Sequence, residues 1–172
     1  ELKIEKGRHT LSLSNYFFQQ NDEGISQLSN GVVLFNNFTD IDRNQFSLMH
    51  DLGLGANFNI KQSLIKSNYK REYIIKNTSG GLERYDITRE DNFEYEFLFD
   101  YKLTNLILNG GLEIATPTYI SDRITGGKQD KNIYGIFTQS IWEATTNINV
   151  VAGLRLDDYE DTTVVSPRVA LS

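Results

Sequence analysis

Few residues of this chain could do chemistry, and their spacing favours no reaction. The acidic run Asp157-Asp158-Tyr159-Glu160-Asp161 offers oxygen ligands for a hard cation. A calcium loop spaces its ligands regularly around a glycine, so a solvated loop tip is the preferred interpretation. The sequence has two histidines, His9 and His50, and no cysteine, which excludes thiolate zinc sites and disulfides. No pattern sets a serine nucleophile beside a base. We therefore expect no enzyme, no metal site and no cofactor.

Two further ligand classes are disfavoured. Leu52-Gly53-Leu54-Gly55 resembles half of a phosphate-binding loop, but the pattern that follows is not helical, so its context fails. The net charge of −6 argues against a nucleic-acid surface, which needs clustered lysine and arginine. The mean hydropathy is −0.40, and no apolar run reaches the roughly 18 residues of a transmembrane helix. A β-barrel remains possible, because its polar interior lowers the mean hydropathy.

One hairpin, residues 92–114, is the element around which the rest of the chain is organised. Every second residue from Phe93 to Tyr101 is aromatic, and alternation resumes after a turn at 102–105, with Leu106, Leu108, Leu112 and Ile114 on one face. Successive side chains of a strand point to opposite faces, so this is a two-faced hairpin. Both arms reach about ten residues, which is the length of a tilted strand that crosses a bilayer. A long hairpin of a soluble all-β protein is the alternative.

The connections sort by length, and this favours the membrane interpretation. Short turns are predicted near residues 6–9, 53–57, 102–105 and 143–146, and longer polar loops at 21–44, 76–84, 116–131 and 160–165. An up-and-down membrane barrel has short periplasmic turns and longer extracellular loops, whereas a soluble meander has no reason to sort its connections. The run Gly31-Val32-Val33-Leu34-Phe35 is an apolar island that fits a strand extension or a folded loop.

The segment 147–157 shows the two faces most clearly. Ile148, Val150, Ala152, Leu154 and Leu156 form an unbroken apolar face, and Arg155 and Asp157 belong to the other face. Lipid outside and a watery lumen inside would produce this pattern, because a charge on the lipid face costs about 2–4 kcal/mol near the midplane. A half-exposed strand over an ordinary core is the alternative.

Three strand motifs carry a family resemblance. They resemble adjacent barrel strands of TonB-dependent outer-membrane transporters. The motifs are Tyr134-Gly135-Ile136-Phe137-Thr138-Gln139, Gly153-Leu154-Arg155-Leu156-Asp157 and Ser166-Pro167-Arg168. Residues 46–51 with 58–64 resemble the hairpin that precedes a long extracellular loop in that family. The likeness covers most of the chain as a pattern, and about forty residues as recognisable motifs.

The resemblance implies an all-β fold, an antiparallel up-and-down transmembrane β-barrel. Residues 1–172 would be part of one barrel domain, about nine strands of a larger barrel, and the family's plug domain is absent from this chain. The implied location is the bacterial outer membrane, with lipid around the barrel and no nucleic-acid partner. The implied function is uptake of a scarce ligand, a ferric siderophore being the commonest, coupled to the TonB complex through the plug. A passive pore or small structural barrel, and a soluble β-barrel binding protein, are the alternatives.

Ligand choice would lie in the loops. Four aromatic residues there could stack on a siderophore: Phe35, Phe38, Tyr85 and Tyr119. The sequence contains no metal-binding constellation that would indicate iron directly.

Overall fold

The computed structural model of the chain describes residues 1–24, 27–29, 32–34, 37–76 and 81–171. These residues form thirteen strands: β1 (Leu2–Lys6), β2 (His9–Gly24), β3 (Gln27–Ser29), β4 (Val32–Leu34), β5 (Asn37–Gly53), β6 (Phe58–Lys76), β7 (Leu82–Lys102), β8 (Leu106–Ala115), β9 (Thr118–Ser121), β10 (Lys128–Asp130), β11 (Ile133–Thr145), β12 (Ile148–Asp158) and β13 (Thr163–Leu171). The same residues include no helix long and apolar enough to cross a membrane.

Eleven of the strands form one antiparallel sheet, and the all-β up-and-down prediction is confirmed. The order along the sheet is β1-β2-β5-β6-β7-β8-β11-β12-β13, so each strand pairs with the next long strand of the chain. β3 and β4 form a separate two-stranded sheet, so Val32–Leu34 of the apolar island pairs with Gln27–Ser29. In the described part of the chain β1 and β13 do not pair with each other, and the sheet stays open.

The two short strands β9 and β10 continue longer neighbours. Glu94 of β7 pairs with Ala115 of β8, and Asp91 pairs with Thr118 of β9, which is three residues further along both strands. The interruption falls at Pro117, which has no N–H for the ladder and accepts a hydrogen bond from the Lys131 N–H on its carbonyl at 3.0 Å. The sheet path therefore has nine strands, as the sequence predicts.

The predicted loops at 21–44 and 116–131 are too long. β5 begins at residue 37, and β9 and β10 lie inside the second range. These stretches are mostly polar, and their few apolar residues, such as Phe38, Ile41 and Ile120, do not alternate regularly. Backbone pairing continues there because the ladder needs no apolar side chain. β7 reaches 21 residues, about 70 Å when extended, and only about ten residues are needed to cross a bilayer. The strands thus extend well beyond the apolar band at the end opposite the short turns.

The central hairpin has the alternation that the sequence predicts, and the structure adds its register. Phe97 pairs with Leu112 and Phe99 with Gly110, which places the aromatic row and the aliphatic row on one face. The missing side chain at Gly110 leaves space for the Phe99 ring, whose Cε1 atom would lie 2.7 Å from a Cβ at that position. A Cβ at Gly111 would lie 2.4 Å from the Phe97 carbonyl oxygen. The glycine pair therefore permits a close approach of β7 and β8.

Every long strand divides its side chains between two faces. The apolar face carries Ile60, Phe99, Leu112, Ile136 and Leu154, and the polar face carries the residues between them, among them Arg71, Glu113 and Arg155. No hydrophobic side chain is buried among the described residues; Ile136 and Leu154 remain 59% and 50% exposed. A single sheet with an uncovered apolar face is stable only against an apolar medium, and this fits a lipid-facing wall.

Candidate functional site

A depression opens on the polar face where β5, β6, β7 and β9 lie side by side. Its volume is about 650 Å³, and its lining alternates by two along every strand, so it belongs to the polar face alone. Charged side chains of both signs and four amide or phenol groups line this depression. We call it the mixed pocket, and its lining residues are Arg43, Gln45, Ile65, Ser67, Tyr69, Arg71, Thr88, Glu90, Asn92, Glu94 and Tyr119. Such a lining offers hydrogen bonds and aromatic surface to a polar ligand.

Tyr119 is fixed within the mixed pocket. Its phenol O–H donates a hydrogen bond to the Glu90 carboxylate, which lies opposite it on β7. This hydrogen bond to an anion, together with desolvation, raises the pKa of the Tyr119 phenol above its usual value. Tyr119 is therefore a neutral donor-acceptor with a fixed orientation, and 41% of it remains exposed to a ligand.

A second depression continues from the first towards the long-loop end. Its volume is about 550 Å³, and it shares Tyr69 and Arg71 with the mixed pocket. Three arginines distinguish it, and we call it the arginine pocket, lined by Thr39, Ile41, Tyr69, Arg71, Tyr73, Ile75, Arg84 and Arg123. Strand register brings these residues together from distant parts of the sequence.

The register explains the arrangement of the arginine pocket. Thr39, Tyr73 and Asp86 form one row across β5, β6 and β7, and Ile41 and Arg71 pair in the row beside it. Neighbouring strands lie about 4.8 Å apart, so a row of three spans about 10 Å. Thr39 lines the pocket and is 7% exposed, and its buried hydroxyl has no hydrogen-bond partner. An unsatisfied buried hydroxyl costs free energy unless a ligand or water satisfies it.

Arg123 reaches the arginine pocket from the turn between β9 and β10. Gly126 and Gly127 have φ of 85° and 74°, a backbone conformation that favours glycine, and they close the turn. The turn is braced by hydrogen bonds from the Ser121 N–H to the Gly127 carbonyl at 3.0 Å and from the Gly127 N–H to the Ile124 carbonyl at 2.8 Å. This compact turn directs Arg123 back over the polar face.

Asp86 binds two of the three arginines. Its Oδ2 accepts hydrogen bonds from Arg123 and, at 2.8 Å, from Nε of Arg84. The Arg123 guanidinium, followed by that of Arg84, holds the pKa of Asp86 below its ordinary value. Among the described residues no carboxylate forms an ion pair with Arg71. The pocket thus has one arginine whose charge is available to a ligand.

The other wall of the polar face, formed by β8, β11 and β12, has a different character. Arg155 binds Glu113 of β8 at 2.6 Å and Asp157 of its own strand at 2.8 Å, and its guanidinium lies 5.8 Å from the centre of the Phe137 ring. Asp157 is buried, with 7% of it exposed. These charges satisfy one another, so this wall is a structural network.

The structure describes three of the four predicted ligand residues and places them in different surroundings. Tyr119 lies in the mixed pocket. Phe38 and Tyr85 are paired with Ile74, on the opposite side of the sheet from the depressions; Phe38 stacks under the Lys76 ammonium at 4.8 Å. Phe35 lies outside the described residues. Aromatic composition alone selected these residues, and only register decides which face each one occupies.

The arginines were missed by sequence reasoning. A signal was present: continuing the period-two alternation of β6 and β7 past the apolar band puts Arg71 and Arg84 on the polar face. Arg123 had no such signal, because a turn residue has no fixed facing.

The sequence's other candidates lie apart from the pockets. His9 and His50 contact each other through Nδ1 and Nε2 at 3.1 Å, on the apolar face near a short turn. Asp157 belongs to β12 and binds Arg155, and Glu160 accepts a hydrogen bond from the Asn132 N–H at 2.9 Å. The part of the chain that the structure describes brings no three His, Cys, Asp or Glu side chains together as a metal site.

Comparison with known proteins places this geometry in a family. Residues 5–172 match the family described as TonB dependent receptor-like, beta-barrel. A crystal structure of a mutant ferric enterobactin receptor, PfeA of Pseudomonas aeruginosa, superposes with a TM-score of 0.77 at 16% identity, over 96% of this chain and 29% of that one. The siderophore receptor PirA of Acinetobacter baumannii superposes with a TM-score of 0.68 at 16% identity, over 98% and 29%.

No curated protein sequence matches the chain. The chain spans less than a third of the length of the two receptors it superposes on. At this identity the superpositions establish the fold, and the family match covers nearly the whole chain. The apolar face is accordingly the lipid face and the polar face is the lumen wall. The chain belongs to the TonB-dependent receptor-like β-barrels, which are proteins of the bacterial outer membrane.

Proposed function

We propose that the protein takes up a scarce small ligand, a ferric siderophore, across the outer membrane in a TonB-coupled step. The observation that carries this proposal is the family match over residues 5–172, together with the two adjoining pockets on the lumen wall. The two receptors of similar fold are named for ferric enterobactin and for a siderophore. A chain of this fold with open polar surface in its lumen is suited to binding a ligand before passage.

We assign ligand binding and energy coupling to different parts of the protein. We assign both pockets to the extracellular end of the lumen, because most of their lining residues lie beyond the apolar band of the strands. Energy coupling would act through a plug domain, which we place in another part of the protein. The protein performs no covalent chemistry in this scheme: it binds, holds and releases.

A transport experiment tests the proposal. Cells that lack the full-length protein should lose uptake of iron from one class of ferric siderophore, and a plasmid copy should restore it. The same complemented cells without a functional TonB complex should fail to take up the chelate. Uptake that persists without TonB would favour a passive pore, and unchanged uptake in cells that lack the protein would overturn the siderophore assignment.

A further inference from the structure

The arginine pocket carries a combination of features that points to a ligand with negative charge. Three guanidinium groups, those of Arg71, Arg84 and Arg123, line one pocket of about 550 Å³. We propose that this pocket binds an anionic group of the transported ligand, and that Asp86 is the resident counter-anion which the ligand displaces from Arg123. The proposal rests on the proposed transport function and names the chemistry of its ligand.

The first argument is the unsatisfied hydroxyl of Thr39. Thr39 lines the pocket and is more than nine-tenths buried, and its Oγ1 has no hydrogen-bond partner. A buried donor of this kind is stabilised by an acceptor oxygen in the pocket, and an anionic oxygen is the strongest acceptor. It lies in the same row as Tyr73 and Asp86, so one ligand group can reach Thr39 and the arginines together.

The second argument is the charge balance. Asp86 binds Arg84 and Arg123, and Asp122 lies beside Arg123 in the turn, while Arg71 has no ion pair with a described carboxylate. Arginine presents a planar fork of donors that suits carboxylate and phenolate oxygens. Arg71 would therefore make the first contact with an anionic ligand, and the ligand would then compete with Asp86 for Arg123.

The third argument is the mechanical position of Arg123. It belongs to the turn 122–127, and its ion pair with Asp86 joins that turn to β7 across 37 residues of sequence. A ligand that takes Arg123 from Asp86 would change the position of the turn. Asp86 is thus a specificity-determining residue, because only a ligand with negative charge can replace it.

The other side chains of the pocket also limit the chemistry of the ligand. Tyr69, Tyr73, Ile41 and Ile75 flank the arginines and offer aromatic and aliphatic surface. A ferric tris-catecholate suits both the charge of the arginines and this apolar surface, because it is negatively charged and its oxygen donors are carried on aromatic rings. An uncharged ferric tris-hydroxamate of similar size satisfies neither, so the two chelates are the probes that separate the alternatives.

Binding to the full-length protein in detergent tests the site. Arg71→Gln should weaken binding of the ferric tris-catecholate by about tenfold or more, since a charge-assisted hydrogen bond is lost. Thr39→Val should weaken it less, and Asp86→Asn should strengthen it by up to about fivefold, because the competing carboxylate is removed. Arg89→Gln removes the same charge from the opposite face of β7 and is the matched control, which should bind normally.

A label on the turn tests displacement of Asp86. A spin label at position 125, introduced as Thr125→Cys, should change mobility when the tris-catecholate is added and stay unchanged with the tris-hydroxamate. Asp86→Asn should change the label's mobility without any ligand. A turn that does not respond to the chelate in either background would overturn the displacement step.

The outcomes separate the two proposals. Normal tris-catecholate binding by Arg71→Gln, or equal binding of the two chelates, overturns the anion site while leaving siderophore uptake standing. If no ferric chelate binds, the uptake proposal fails, and iron-free citrate becomes the probe of the site. A label response to citrate that Arg71→Gln abolishes would then support the anion site, and the absence of any response would overturn it.

Discussion

On β8, β11 and β12 the charged side chains of the lumen wall bind one another, whereas on β5, β6 and β7 the arginines line open space. Arg155 has two carboxylate partners and an aromatic ring, while Arg71 has no ion pair among the described residues and lies between two pockets. We call β8, β11 and β12 the closed wall, and we call β5, β6 and β7 the open wall. The comparison teaches that residue type alone does not separate structural charge from binding charge: the partners do.

The two walls also differ in backbone spacing. The closed wall contains Gly111 and Gly153, and a Cβ at each would lie 2.4 Å and 3.2 Å from a neighbouring backbone oxygen. On the open wall, Ser67 and Tyr69 occupy the corresponding face of β6 beside the mixed pocket. Close strand contact leaves no room for a ligand, and larger side chains around a depression leave room for one.

The largest expected effect tests whether both walls face away from lipid. Ala152→Arg puts a guanidinium on the lipid face near the middle of β12, and we expect it to cost about 2–4 kcal/mol of unfolding free energy. Val151→Arg, one residue earlier on the lumen face, should cost much less. The measurement is chemical unfolding of the full-length protein in lipid vesicles, and equal losses for the two variants would mean that the faces are reversed or mixed.

The next effect tests the close contact of the closed wall. Gly111→Ala should destabilise by about 1–3 kcal/mol, because the added methyl group meets the Phe97 carbonyl and the Leu98 side chain. Gly53→Ala is the matched control, since nothing lies within 4 Å of a Cβ there. Comparable unfolding midpoints for the two variants would show that β7 and β8 can separate at little cost.

Replacing one arginine of each wall has a smaller effect on stability. The two variants should contrast most sharply, because one loses unfolding free energy and the other loses ligand affinity. Arg155→Gln leaves the buried Asp157 with fewer donors, and we expect a loss of about 1–2 kcal/mol of unfolding free energy with ligand affinity little changed. Arg71→Gln should change the unfolding free energy by less than about 0.5 kcal/mol while ligand affinity falls. Unfolding curves and binding isotherms of both variants test this, and a stability loss for Arg71→Gln would assign the open wall a structural role.

The smallest effect concerns pH. The pKa of Asp86 is lowered by Arg123 and Arg84, so its stabilising contribution is present above the ordinary value of 3.8 and is lost as pH falls through the lower folded-state value. Asp122 and Tyr73 are the other titratable groups that act on Arg123. The Tm difference between the wild-type protein and Asp86→Asn should therefore be constant from neutral pH down to 3.8 and shrink only below it. A difference that disappears at mildly acidic pH would contradict this ion pair.

The strand pattern was predictable because lipid enforces it. A charge in the hydrocarbon is costly, so alternation is strict wherever a strand crosses the bilayer, as in β8 and β12. The two faces of the central hairpin followed from the same alternation, whereas the pairing of its residues came from the structure. Beyond the bilayer both faces meet water and the constraint ends, which is why the polar continuations of β5, β8 and β11 were expected to be loops.

The sequence by itself determined the fold class, the two faces of the crossing strands and the resemblance to the transporter family. Each of these depends on local alternation, which two or three neighbouring residues already express. Only the tertiary structure decided which side chains share a pocket: Thr39, Arg71, Arg84 and Arg123 come from three strands and a turn, and strand register brings them together. It also decided that Arg155 is neutralised and Arg71 is not, because an ion pair between strands depends on side-chain positions that no single strand's sequence contains.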